Sequence, residues 1–158
     1  MSAANRKDLI ERLAALPRRV EVAVRDLTDE QLDTPYGENK WTLRQVVHHL
    51  ADSHLHGFAR MKQVLTEDHP EMTIYEQTRY ALLPDASRAP VGPSLQILGG
   101  LHERWVIMLR GVAETEWSRT GHHFRRGDMT LDDMLELYAG HGESHLAQIN
   151  RLREERGW

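Results

Sequence analysis

Four stretches of this chain repeat their apolar residues at intervals of three and four, and no run alternates apolar and polar long enough to argue for a sheet. The first seam is Leu9, Leu13, Leu16, Val20, Val24 and Leu27, predicting a helix from about Arg6 to Asp26 with a kink at Pro17. A second runs through Leu43, Val47, Leu50, His54, Phe58, Met61 and Leu65. It should begin at Thr42, where Gln45 three residues on completes a capping box and Trp41 can pack on Val46 as a staple. The third, Leu95, Leu98, Leu101, His102, Trp105, Leu109 and Val112, is expected to be capped by Ser94 and weakened by Gly99 and Gly100, for which packing must compensate. The fourth, capped by Thr130 with Asp133, passes through Met134, Tyr138, His141, His145, Ile149 and Leu152 to about Arg156. Four such helices predict an all-α four-helix bundle. The irregular, proline-rich stretch from Glu71 to Pro93 predicts a long crossover between helices two and three, with a short helix over Tyr75 to Leu82. A small hairpin is expected around His122 to Met129. At 158 residues a single domain over 1–158 is expected.

Charge narrows the partners. Acidic and basic residues are interspersed, for a net charge of −4, so no footprint for nucleic acid or anionic lipid is visible. No apolar run is long enough for an anchor or a signal peptide, which predicts a cytoplasmic protein acting on a small molecule. Cysteine is absent, which removes disulfides, thiolate zinc sites and a thiol nucleophile of the chain's own. The unusual count is histidine, at ten residues.

His141 and His145 are four apart, so their rings project about 40° apart from one helix face. They lie on an apolar seam, where two neutral imidazoles need partners that a divalent metal can supply. The alternative is a pair of hydrogen-bonded core histidines, and spacing alone leaves both readings open. Gly140 and Gly142 flank the pair at a cost of about 2 kcal/mol, which suggests that something bulky sits against the backbone there. Helix two offers His48, His49, His54 and His56 as a third ligand. The helical wheel favours His54, sets His49 on the shoulder, and leaves His48 and His56 towards solvent. His102 reads as a core histidine with a hydrogen-bond partner, and His69, His122 and His123 as solvated loop residues. The group Asp132, Asp133 and Glu136 reads as favourable charge in a first helical turn.

The segments WTLRQVVHHLADSH, LPDASRAPVGPSLQILGGLHERW and LYAGHGESHLAQI resemble the DinB/YfiT-like superfamily, specifically the YfiT subfamily, over about Leu9 to Trp158. Its members are described as metal-dependent hydrolases and as bacillithiol S-transferases. The resemblance implies a dimeric four-helix bundle holding one zinc or nickel ion through three histidines. It maps them onto His141, His145 and, eight residues after Trp41, His49, against the wheel, with His48 the alternative at that position; His54 is then a group behind the ligands or facing the substrate, and a candidate to orient or shuttle a proton, or else a hydrogen-bonded core histidine. The chain departs from the subfamily at Gly140, where Trp is frequent, and at Gln148, where His is frequent. Metal-dependent transfer of a low-molecular-weight thiol, as co-substrate, onto a small electrophile is the expected activity. Hydrolysis and a non-enzymatic, metal-stabilised dimer are its alternatives.

Overall fold

Three of the four long helices begin where a side chain can accept from their unpaired first-turn N–H groups. The computed structural model describes residues 1–158 and opens with α1 (Ala3–Val24), capped by the Ser2 hydroxyl, which accepts from the Asn5 amide. That cap starts the helix three residues before the expected Arg6, and Pro17 lies inside it without ending it. The TDEQL turn closes into one helical turn, α2 (Asp29–Leu32), through a Thr28–Gln31 capping box. In α3 (Leu43–Thr66) the capping box is formed as the sequence suggests: Gln45 N–H donates to Thr42 Oγ1 at 3.2 Å and Thr42 N–H to Gln45 Oε1 at 2.9 Å.

The crossover carries two single-turn helices, α4 (Gln77–Tyr80) and α5 (Pro84–Ser87). The helix expected over Tyr75 to Leu82 is thus cut to α4. The next long helix, α6 (Gly92–Arg110), is not capped by Ser94. It starts earlier because Pro93 suits a first turn that needs no N–H, and the Ser94 hydroxyl instead meets Nδ1 of His48 at 2.7 Å. The predicted hairpin is present as β1 (Thr120–His123) and β2 (Gly127–Thr130), antiparallel with Thr120 opposite Thr130 and His123 opposite Gly127. Finally α7 (Leu131–Arg156) starts on the Thr130–Asp133 capping box and ends on Gly157 in the left-handed conformation (φ 70°).

The four long helices form a bundle in which α1 packs on α6 and α7, and α3 packs on the same two. Its interior is two apolar cores. One contains Leu13, Met61, Trp105, Met134, Leu135 and Tyr138; the other contains Leu16, Val20, Leu50, Leu98, Ile149 and Leu152. Along α3, α6 and α7 the chain passes from one core to the other across His54, His102 and the His141–His145 pair. A layer of imidazoles therefore separates the two cores. No helix is long and apolar enough to cross a membrane.

The glycines correct two expectations. A Cβ at Gly99 or Gly100 would meet nothing, so no packing compensates for them. At Gly142 a Cβ would overlap the Leu16 side chain of α1, whereas at Gly140 it would meet nothing. The bulky neighbour inferred beside the histidine pair is thus a leucine of the adjacent helix, at one glycine only.

Candidate metal centre

His49 on α3 and His141 and His145 on α7 converge, with one ligating nitrogen from each within 4.8 Å of the others. Nε2 of His141 lies 3.1 Å from Nε2 of His49 and 3.2 Å from Nε2 of His145. His49 and His145 are buried and His141 is partly so. Trp41, the residue before the α3 cap, lies against this group, its ring centroid 4.6 Å from that of His49.

The hydrogen bonds behind the cluster fix where its protons are. The Leu13 carbonyl can only accept, so His102 donates to it from Nδ1 (2.7 Å). A neutral ring that donates from one nitrogen accepts at the other. His102 Nε2 therefore accepts from Nδ1 of His54 (2.9 Å), and His54 Nε2 accepts from Nδ1 of His141 (3.2 Å). That leaves Nε2 of His141 as a bare lone pair. The same reasoning holds for His145, whose Nδ1 donates to the Gln148 side-chain oxygen at 2.8 Å. Two lone pairs thus face each other at 3.2 Å with no proton between them.

Burial also keeps these rings neutral. It is the largest cause in pushing His49 and His141 down to about 3, with neighbouring imidazoles adding to it. His145 is lowered by burial against an opposing contribution from Gln148, and His54 and His102 are lowered chiefly by burial. Three neutral imidazoles with converging nitrogens are able to hold one divalent cation.

The other histidines go elsewhere. His54, which the wheel favoured, is fully buried and stands behind His141 rather than among the three. His48 is not solvated as expected, because Ser94 and the Ala89 carbonyl hold its two nitrogens inside. His56 is half-buried, stacked on Tyr75 at 4.2 Å between ring centroids. His69 and His122 share Asp128 on the surface. Asp133 caps α7 and Asp132 pairs with Arg6.

His141 also lines a cavity of about 360 Å³ enclosed by α3, α7, the start of the crossover and the hairpin turn. A larger groove of about 870 Å³ between α1 and α6 reaches none of the three converging histidines. Sequence reasoning missed Gln148 as the acceptor for His145, although a spacing of three on one helix makes them neighbours. It missed Arg60 too, a charged residue that nothing in the seam distinguishes.

Three comparisons identify the family and the fold. The DinB superfamily model matches residues 12–149. A protein of Bacillus pumilus named "putative metal-dependent hydrolase" is 41% identical over 150 residues, covering 94% of this chain and 85% of that protein. One of Geobacillus kaustophilus with the same description is 41% identical over 153 residues, covering 96% and 86%. The solved structure of YfiT from Bacillus subtilis, described as a probable metal-dependent hydrolase with an unusual four-helix bundle topology, superposes with a TM-score of 0.98. It is 38% identical, and the match covers 100% of this chain and 91% of that one.

Proposed function

The chain belongs to the DinB superfamily, and from that premise we propose that it is a metal-dependent enzyme that transfers a low-molecular-weight thiol onto a small electrophile. His49, His141 and His145 are the ligands of one divalent ion, zinc or nickel. The observation that carries this reading is the convergence of Nε2 of His141 and Nε2 of His145 at 3.2 Å while Nδ1 of each is engaged elsewhere, with His141 bordering a cavity. Ligand nitrogens around a tetrahedral zinc stand about 3.3–3.4 Å apart, from bond lengths of ~2.0–2.1 Å. The two separations at His141, 3.1 and 3.2 Å, lie close to that spacing, and the nitrogens of His49 and His145 are within 4.8 Å of each other.

An ion held there supplies a positive charge that lowers the pKa of a small nucleophile, a thiol or water, beside the cavity. The chain's own residues do the rest. The chain of donors from His141 through His54 and His102 to the Leu13 carbonyl holds the His141 ring in one orientation and one tautomer. Gln148 does the same for His145. Trp41 covers His49 and restricts water there. The acidic residue of the cavity wall, Glu76, is paired with Arg125 at 2.7 Å. No unpaired carboxylate lines the cavity, and a thiol, reactive as its own anion, needs none; the half-buried His123 imidazole in the same wall, held below its ordinary value chiefly by burial, is the base available to the hydrolytic reading. With no cysteine in the chain, the sulfur comes from outside.

Hydrolysis is the second reading, supported by the descriptions of the similar proteins. One assay separates the two. Metal-loaded protein is incubated with an electrophilic probe, with and without a panel of small thiols, and separately with esters and amides. Thiol-dependent conjugation that disappears in His145→Ala is the expected result. Ester or amide turnover without thiol selects the hydrolase, and metal-independent behaviour throughout overturns both.

A further inference from the structure

The cavity beside His141 is positively charged in a chain of net charge −4. Arg60, Arg125 and Arg126 all line it, against Glu76 alone, and Glu76 is already spent on Arg125. Arg60 is the informative one. It is only 6% exposed, yet its guanidinium meets no carboxylate. Nε and Nη2 donate to the Thr73 carbonyl at 2.8 and 2.5 Å, and Nη1 donates to the Tyr138 hydroxyl at 2.8 Å. Those oxygens are neutral, and they leave two of the five guanidinium N–H donors without a partner. A buried charge without a counter-charge is costly.

Arg126, in the turn of the hairpin, is exposed and likewise forms no ion pair. It lines the cavity together with Tyr138 and His141. Two unpaired guanidinium groups thus border one cavity that ends at His141. Its 360 Å³ is at the small end of ligand sites.

We propose that this cavity binds a small molecule through a carboxylate group, held by Arg60 and Arg126, with the remainder of the molecule directed towards His141. A planar carboxylate matches the fork of a guanidinium and supplies the missing counter-charge. The role of this molecule as a reactant rests on the metal-dependent activity proposed above; the carboxylate site itself does not.

Metal-free protein tests the site without calling on the metal. Succinate, its neutral diamide and inorganic phosphate are titrated into chelator-treated wild type, and binding is followed by calorimetry and amide chemical shifts. Succinate should bind saturably, shifting amides of the hairpin turn and of α7 near Tyr138, and the diamide should not. Arg126→Gln, at an exposed position, should weaken succinate binding about tenfold with an unchanged far-ultraviolet spectrum. Arg60→Lys should weaken it further, since an ammonium keeps the charge but loses the fork. Equal binding of succinate and diamide, or indifference to Arg126→Gln, overturns the proposal, and a preference for phosphate overturns the carboxylate assignment. Failure of metal uptake by wild type would overturn the metal reading and leave these outcomes standing.

Discussion

His54 carries the argument at the scale of single residues, because it is buried, neutral and bonded at both nitrogens to other histidines. Replacing it with leucine leaves the His141 Nδ1–H without an acceptor, so the ring is free to turn and to shift its proton to the nitrogen that should bind metal. His54→Leu is expected to lower metal affinity by roughly 10–100-fold, measured by competition with a chelator, while helix content stays unchanged. Equal affinity would mean that the imidazole chain is packing alone. Asp52 on α3 gives a second prediction of a different kind. Burial, with Asp85 adding to it, pushes its carboxyl up to about 6. The unfolded chain releases that proton near 4, so the ionised group opposes folding above about pH 6 and has no effect below about pH 4. Asp52→Asn should therefore raise the melting temperature at pH 7.5, and the gain should shrink as the pH is lowered towards 5. A lower melting temperature at pH 7.5 would contradict this.

Among the elements, α7 contains both a glycine that packing requires and one that it does not. Gly142→Ala would press a methyl into Leu16 of α1, at a cost of about 1–3 kcal/mol. Gly140→Ala meets open space and should stabilise by about 0.5–1 kcal/mol through helix propensity alone. Denaturant titration of the two variants separates these effects, and a destabilising Gly140→Ala would point to a neighbour at that position. The elements themselves were largely legible in the sequence, because all four long helices show their apolar seam and two of them also show a capping box, at Thr42 and Thr130. The start of α6 was not. Ser94 looks like a cap in one dimension, but its hydroxyl is claimed by a histidine 46 residues away. The converging histidines were legible in part for the same reason. Spacing alone marks His141 and His145 as a pair. Choosing His49 over His54 required the family, since a wheel with one buried stripe cannot describe a helix that faces both α6 and α7. Arg60 and Gln148 depend on what lies opposite them, which no periodicity records.

On the scale of the whole molecule, the homodimer belongs to the proposed reading of the family resemblance, and sedimentation at micromolar concentration tests it; a clean monomer of 18.3 kDa would refute it. The imidazole layer has a consequence that reaches the entire bundle. His48, His49, His54, His102, His141 and His145 are all held below their ordinary value, with burial the largest cause in each. In the unfolded chain each takes up a proton near pH 6.5, whereas in the folded protein His49 and His141 resist until about 3. Below pH 6.5 the unfolded state thus binds more protons, and stability present above that pH is lost as the pH falls. His49 and His141 each contribute a slope approaching about 1.4 kcal/mol per pH unit, and the other four add to it in the same direction. Asp52 opposes the trend, but it is one group against six. Metal-free protein should therefore show a denaturant midpoint that is flat above about pH 7 and falls steeply between pH 6.5 and 5, well before the surface carboxylates titrate. His48→Gln, away from the three converging nitrogens, should make that fall shallower. A midpoint that stays constant down to pH 5 would mean that the imidazole layer admits water and does not divide a dry core.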